Sequence, residues 1–215
     1  MNEPLRLLKD LSPEVDYQAL MAQLQHMAHP RRKLKELQNK NQLIRLKKGF
    51  YVFTPGFIGK AYSPQIVANL LYGPSYLSLE FALAWYGLIP ERVEVLTSVT
   101  SGKNKQYATP IGPLTYRHLP ASLYPLGVTL KKNDDGRTFL IATPEKALVD
   151  LFTLKFKNSD LPQPADLVSA LRDDLRLDVD EFKKTANREL LADLRPHYEH
   201  RRWPRLLLDH LLGET

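Results

Sequence analysis

The run Leu43-Ile44-Arg45-Leu46-Lys47-Lys48-Gly49-Phe50-Tyr51-Val52-Phe53 constrains the fold of this chain more than any other. Two stretches of aliphatic and aromatic residues flank a Lys47-Lys48-Gly49 turn, and that pattern predicts a β-hairpin. What precedes it narrows the choice further. Leu5, Leu7, Leu8 and Leu11 have helical spacing and stop at Ser12-Pro13. Asp16 stands where it can N-cap a second helix striped by Leu20, Met21, Leu24 and Met27. Pro30 opens a third helix that runs to about Asn41. Three short helices and then a hairpin predict a winged helix-turn-helix over residues 1–55.

Charge is segregated onto that module. The chain of 215 residues carries a formal net charge of +6. Residues 1–60 hold 11 Lys or Arg against 5 Asp or Glu, so the remainder is electrically balanced. Between Arg31 and Lys48, eight cations (Arg31, Arg32, Lys33, Lys35, Lys40, Arg45, Lys47 and Lys48) face only Glu36. Such crowding repels itself, and a polyanion relieves the repulsion by exchanging its condensed counterions for side chains. A solvated face that aids solubility is the plainer reading of a charge run taken alone.

The helical wheel of the third helix separates the two readings. Leu34, Leu37 and Asn41 cluster on one side, where the leucines anchor the helix to a core. Arg32 and Asn39 lie nearly opposite, with Lys35 and Glu36 beside them and Arg31 and Gln38 on one flank. Arg and Lys match guanine O6 and N7, and Asn and Gln match adenine N6 and N7. Arg45, Lys47 and Lys48 on the hairpin would meet phosphates or a minor groove. The candidate DNA-binding residues are therefore Arg31, Arg32, Lys33, Lys35, Gln38, Asn39, Arg45, Lys47 and Lys48.

Thr54-Pro55-Gly56 and Gly59 read as a linker to a second domain over residues 61–215. Ser63-Pro64 opens a helix through Leu71, and Gly73-Pro74-Ser75 breaks it. Ser78 is placed to cap the next helix, with Leu79, Ala82, Leu83, Trp85 and Tyr86 toward the core and Gly87 at its end. Strands are expected over Val93–Val99, Tyr107–Thr109, Leu114–Leu119, Val128–Lys131 and Thr138–Ala142, forming a small and mostly antiparallel sheet. From Thr143 onward the pattern is helical: Pro144 to beyond Phe152, then about Ala165–Arg172, Asp180–Asn187, Glu189–Arg195 and Trp203–Leu212. The class is α+β, an N-terminal winged helix-turn-helix followed by an α+β domain with a helical C-terminal tail.

The segment Tyr76-Leu77-Ser78-Leu79-Glu80-Phe81-Ala82-Leu83-Ala84-Trp85-Tyr86-Gly87-Leu88-Ile89-Pro90-Glu91 resembles the central signature of the AbiEi antitoxin family. Val95-Leu96-Thr97-Ser98-Val99-Thr100, Thr109-Pro110-Ile111-Gly112 with Tyr116-Arg117-His118, and Ala142-Thr143-Pro144-Glu145-Lys146-Ala147-Leu148-Val149-Asp150 follow in the family's order. Leu46-Lys47-Lys48-Gly49-Phe50-Tyr51 resembles its wing, and the similarity covers about residues 10–155. The resemblance implies a bacterial antitoxin and transcriptional repressor of a type IV toxin–antitoxin pair. Its winged helix would bind inverted repeats in its own promoter, and its C-terminal domain would oppose a nucleotidyltransferase toxin encoded next door. Direct contact with that toxin is not a defining feature of the family. Glu80, Tyr86, Arg117 and His118 are the candidate antitoxin surface; for Glu80, a carboxylate favoured by the helix macrodipole is an equal reading.

Other chemistries lack their constellations. With no cysteine, thiolate zinc sites, iron–sulfur clusters, disulfides and cysteine nucleophiles are excluded. A magnesium nuclease needs clustered carboxylates; Glu94 has no carboxylate-x-lysine companion, and Asp134 and Asp135 sit in an expected turn. No phosphate-cradling or dinucleotide glycine pattern occurs. His197 and His200 are crowded by Arg195, Arg201 and Arg202, which oppose a metal cation. No enzyme activity, metal or cofactor is expected.

Ala61 to Leu79 is the longest uncharged stretch, and Pro64, Asn69, Gly73 and Pro74 exclude it as a membrane span. No apolar leader follows Glu3, Arg6, Lys9 and Asp10, so a cytoplasmic location and no membrane partner are expected. The expected partners are double-stranded DNA, with a symmetric operator offering room for a homodimer, and the functionally paired toxin. The competing readings are a nucleic-acid-processing enzyme delivered by a winged helix, and a protein-interaction module whose basic helix meets an acidic partner.

Overall fold

The computed structural model describes residues 8–91, 93–156 and 163–214. Residues 1–7, which carry part of the expected first helix, lie outside this range; Leu8–Asp10 forms a single 3-10 turn with Leu8 buried. Strand β1 (Glu14–Asp16) leads directly into helix α1 (Tyr17–Leu24), whose N-terminus Asp16 caps by accepting the Ala19 N–H at 2.7 Å. Helix α2 (Pro30–Asn39) starts on Pro30, as its fixed φ favours. It ends two residues earlier than the sequence predicts, because Asn41 takes a left-handed φ of 51°. Strands β2 (Leu43–Lys47) and β3 (Phe50–Phe53) form the expected hairpin, and β1 adds to it in the order β1-β3-β2.

Both faces of this small sheet are covered, which is why all four residues of β3 are buried. Tyr51 and Phe53 pack with Leu20, Leu24, Leu37 and Leu43 in the core of the helical layer. Phe50 and Val52 point the other way and join the core of the following chain, with Val67 and Leu71. Thr54-Pro55-Gly56, expected as linker, instead begins a one-turn helix, α3 (Pro55–Ile58), whose Ile58 belongs to the first core. An ion pair between the buried Glu14 and the half-buried Arg137 fastens the two parts. The Glu14 carboxylate accepts from Arg137 and from the Ser63 N–H at 2.6 Å.

Helix α4 (Pro64–Leu71), capped by Ser63, precedes strand β4 (Ser75–Leu77) and helix α5 (Leu79–Trp85). Strands β5 (Leu96–Thr100), β6 (Lys105–Thr109), β7 (Gly112–His118), β8 (Val128–Lys132) and β9 (Thr138–Ala142) follow. They form one six-stranded sheet in the order β6-β7-β5-β4-β9-β8. The expected small antiparallel sheet is therefore larger and mixed: β4/β9 and β5/β7 are parallel pairs. The difference lies in Ser75–Leu77, which reads as the end of a loop breaker but joins two antiparallel ribbons through their middle. Val93 and Val95 lie before strand β5, outside the sheet.

Side-chain alternation divides the sheet's faces between the helices. Tyr116 donates its hydroxyl to Ala68 O at 2.7 Å, on the α4 face, while Phe139 meets Trp85 of α5 edge-on at 5.2 Å on the other. Thr143 caps the long helix α6 (Pro144–Lys155) as its sequence predicts. Helices α7 (Pro164–Ser169), α8 (Val179–Thr185), α9 (Arg188–Leu194) and α10 (Arg202–Leu212) complete the tail. It closes over α6 by stacking Trp203 on Phe156 at 4.1 Å and burying Leu207, Leu208 and Leu211. No helix among the described residues is long and apolar enough to cross a membrane.

Candidate nucleic-acid interface

Helix α2 is held by Leu37, which is fully buried, and by the partly buried Leu34, so its opposite side faces solvent. Arg32, Lys35 and Asn39 are exposed there, Arg31 is exposed on the flank, and Gln38 is half-buried beside it. Arg32, Lys35 and Asn39 are spaced three and four residues apart and share one face. Among the described residues, none of Arg31, Arg32 or Lys35 takes part in an ion pair.

Lys33 departs from the expected set. Its side chain is only 15% exposed and donates to Glu36 at 3.0 Å, while Lys40 donates to the same oxygen at 2.8 Å. The two ammonium groups pull the Glu36 carboxyl down to about 2. Lys33 is thus spent on neutralising the one acid of the helix, not offered outward.

The hairpin divides its three cations. Arg45 is exposed on the face of β2 that carries Leu43, the face turned to α2, and its Nε donates to Lys47 O at 3.3 Å. Lys48 is exposed at the turn, where Gly49 supplies a φ of 85°. Gly49 O also accepts the Tyr17 N–H at 2.9 Å, so the turn is fixed to the start of α1. Lys47 is a correction to the sequence expectation. The pairing register shifts between Arg45 and Lys47, and this bulge sends the Lys47 side chain backward. Its ammonium donates to Leu71 O and stands 5.7 Å over the Tyr107 ring, and burial lowers its pKa. It fastens the hairpin to the second part of the chain.

The four candidate antitoxin residues do not form one surface. Glu80 and Arg117 line a common open groove of about 1070 Å³ on the α5 face of the sheet, with Glu94, Lys105 and Lys155 at its margins. His118 is the next residue along β7, so alternation turns it to the other side of the sheet, where Nδ1 lies 2.7 Å from Gly102 O. Tyr86 is half-buried; its hydroxyl donates to Ala142 O at 3.1 Å, and burial pushes the phenol up to about 12. Trp85, read as core, is partly exposed beside Phe81.

A polar cluster that sequence reasoning missed ties α6 to β4 and to Tyr198 of the tail. Lys146 and Asp150 are both fully buried and 2.6 Å apart. Lys146 Nζ also donates to Leu123 O at 2.9 Å and to the Tyr198 hydroxyl at 3.0 Å. The other Asp150 oxygen accepts from Tyr76 at 2.9 Å and from Ser78 at 2.8 Å. Ser78 thus occupies the N-cap position of α5 but gives its hydroxyl to Asp150 rather than to the helix. Burial raises the Asp150 carboxyl, and the hydrogen bonds from Lys146, Ser78 and Tyr76 offset part of that rise. The signal was present in the sequence as a Lys and an Asp four apart, Lys146 just before and Asp150 within the apolar run Ala147–Phe152.

Glu94 and Asp134 are exposed, Asp135 pairs with Arg137, and His197 and His200 both face solvent. Among the described residues no three His, Asp or Glu side chains gather as a metal site requires. Neither the models of known protein families nor the curated proteins contain a match to this chain.

Proposed function

We propose that the chain is a DNA-binding transcriptional repressor of the AbiEi kind, serving as the antitoxin of a type IV toxin–antitoxin pair. In this reading the elements from Leu8 to Phe53 are a winged helix-turn-helix. Helix α2 is the recognition helix, and the β2–β3 hairpin is the wing. The observation that carries it is the exposure of Arg31, Arg32, Lys35 and Asn39 on α2 next to a hairpin that exposes Arg45 and Lys48. Cationic side chains supply affinity by displacing counterions, and Asn39 and the arginines supply donors for base edges.

A solvated face accounts for exposed lysines but not for their concentration on one helix and one adjoining turn. The same reading makes Lys47 and Lys33 internal ties rather than contacts. The antitoxin role rests on the resemblance and on the groove that brings Glu80 and Arg117 together.

The test is the mobility of a duplex carrying the chain's own upstream region. Sequence-dependent binding is expected, weakened by Arg32→Ala or Asn39→Ala, with Lys48→Ala lowering affinity on every sequence alike. Equal binding to the upstream region and to a scrambled duplex contradicts a specific repressor. Co-expression with the adjacent gene tests the second half: growth is expected to be restored by the intact chain and lost on Arg117→Glu.

A further inference from the structure

Strand β8 ends the six-stranded sheet, and its outer edge has a pattern that can be worked out from its inner one. Its pairing with β9 is flanked by hydrogen bonds from Thr143 N to Gly127 O at 2.8 Å and from Asn133 N to Arg137 O at 2.9 Å. Hydrogen-bonded and non-hydrogen-bonded pairs alternate along an antiparallel ladder. Thr129 and Lys131 therefore turn their N–H and C=O groups inward to β9. Val128, Leu130 and Lys132 turn theirs outward. On β9 the same alternation turns the Leu140 backbone away from β8, and Asn69 of α4 meets it with bonds of 2.6 and 3.2 Å.

Among the lysines of this edge stand large apolar side chains where solvent should favour polarity. Leu130 is 60% exposed and its direct cross-strand partner Leu140 is 39% exposed. Two of the five large apolar side chains exposed among the described residues thus lie side by side at one sheet edge.

We propose that β8 is a self-association edge, pairing antiparallel with β8 of a second copy about a two-fold axis at Leu130. In that register Leu130 faces Leu130, and Val128 faces Lys132 in both directions. All three residues are ones whose backbone groups point outward, so every donor meets an acceptor in an isologous contact. The two Leu130 side chains meet on the axis with Leu140 of each copy beside them, and one sheet runs through both molecules.

Charge narrows the choice of register, and burial of the exposed Leu130 against its own copy selects this one. Lys131 and Lys132 go to opposite ends of the interface, each beside the uncharged Val128 and Thr129 of the other copy. An axis at Lys131 or Lys132 would set like charges against each other, and so would a parallel pairing. Edge lysines commonly block strand addition; here they discriminate among the ways it can occur. Lys131 is in addition drawn to the opposite face, 5.5 Å over the Tyr86 ring.

The experiment is sedimentation equilibrium of the full chain without DNA, so its outcome is independent of the DNA-binding reading. A dimer whose fraction rises with concentration is expected, and Leu130→Lys should return it to monomer with an unchanged circular dichroism spectrum. Because the chain has no cysteine, Leu130→Cys introduces a single thiol. A short bismaleimide should link two copies through it, and should fail at a lone thiol in Ala108→Cys on the opposite edge strand. A monomer up to the solubility limit, association unaltered in Leu130→Lys, or equal cross-linking at both thiols overturns the proposal.

Discussion

A lysine inside a protein core raises the free energy of folding unless its charge is met, and Lys146 is met on three sides, by Asp150, Tyr198 and Leu123 O. The cluster draws on β4, the start of α5, helix α6 and the turn at Tyr198, so it fixes where the tail sits against the sheet. Removing one partner leaves a buried charge alone. Lys146→Met or Asp150→Leu should each cost about 3–5 kcal/mol in urea denaturation. The double variant should cost less than the sum, since it removes both charges together. Single-variant losses below about 1 kcal/mol would contradict this account of the pair.

At the scale of elements, α2 combines a buried leucine stripe with an outer face whose only acid is doubly bonded. Lys40 and Lys33 depress Glu36 from its ordinary 4.5 to about 2. A depressed carboxyl contributes stability above its unfolded pKa and loses it as pH falls toward the folded one. The fall in stability between pH 4.5 and 2 should therefore be shallower in Glu36→Gln than in the parent chain, read from urea midpoints. An identical slope in both would contradict the pairing.

The legibility of elements follows from how local their signals are. Caps at Asp16, Ser63 and Thr143 act within three residues, and the sequence places all three helix starts. Strand β4 escapes notice because it is three residues long and buried throughout, which removes the alternation that marks a strand. The site is legible on the same terms. Helical spacing places Arg32, Lys35 and Asn39 outward, but nothing local foretells that a bulge turns Lys47 toward Leu71 or that Lys33 reaches Glu36. Long-range partners such as Asp150 with Tyr76 are beyond spacing rules altogether.

In the whole molecule, the small sheet is shared between two cores, with Tyr51 and Phe53 in one and Phe50 and Val52 in the other. The half-buried Glu14–Arg137 pair and the Lys47 contact with Leu71 O tighten that junction. Calorimetry should show one cooperative transition rather than two. Arg137→Ala, which takes one of three donors from the buried Glu14 carboxylate, should lower stability by about 1–3 kcal/mol. Two separate transitions in the parent chain would contradict a shared core. The same junction assigns the hairpin cations to different tasks, and that division gives the most direct test of the DNA-binding account. The measurement is the salt dependence of affinity for one upstream duplex, in the parent chain, Lys48→Ala and Lys47→Ala. A steep loss of affinity with salt is expected, its logarithmic slope reduced by about 1 in Lys48→Ala and unchanged in Lys47→Ala. Affinity indifferent to salt, or a slope reduced equally by both substitutions, would contradict it.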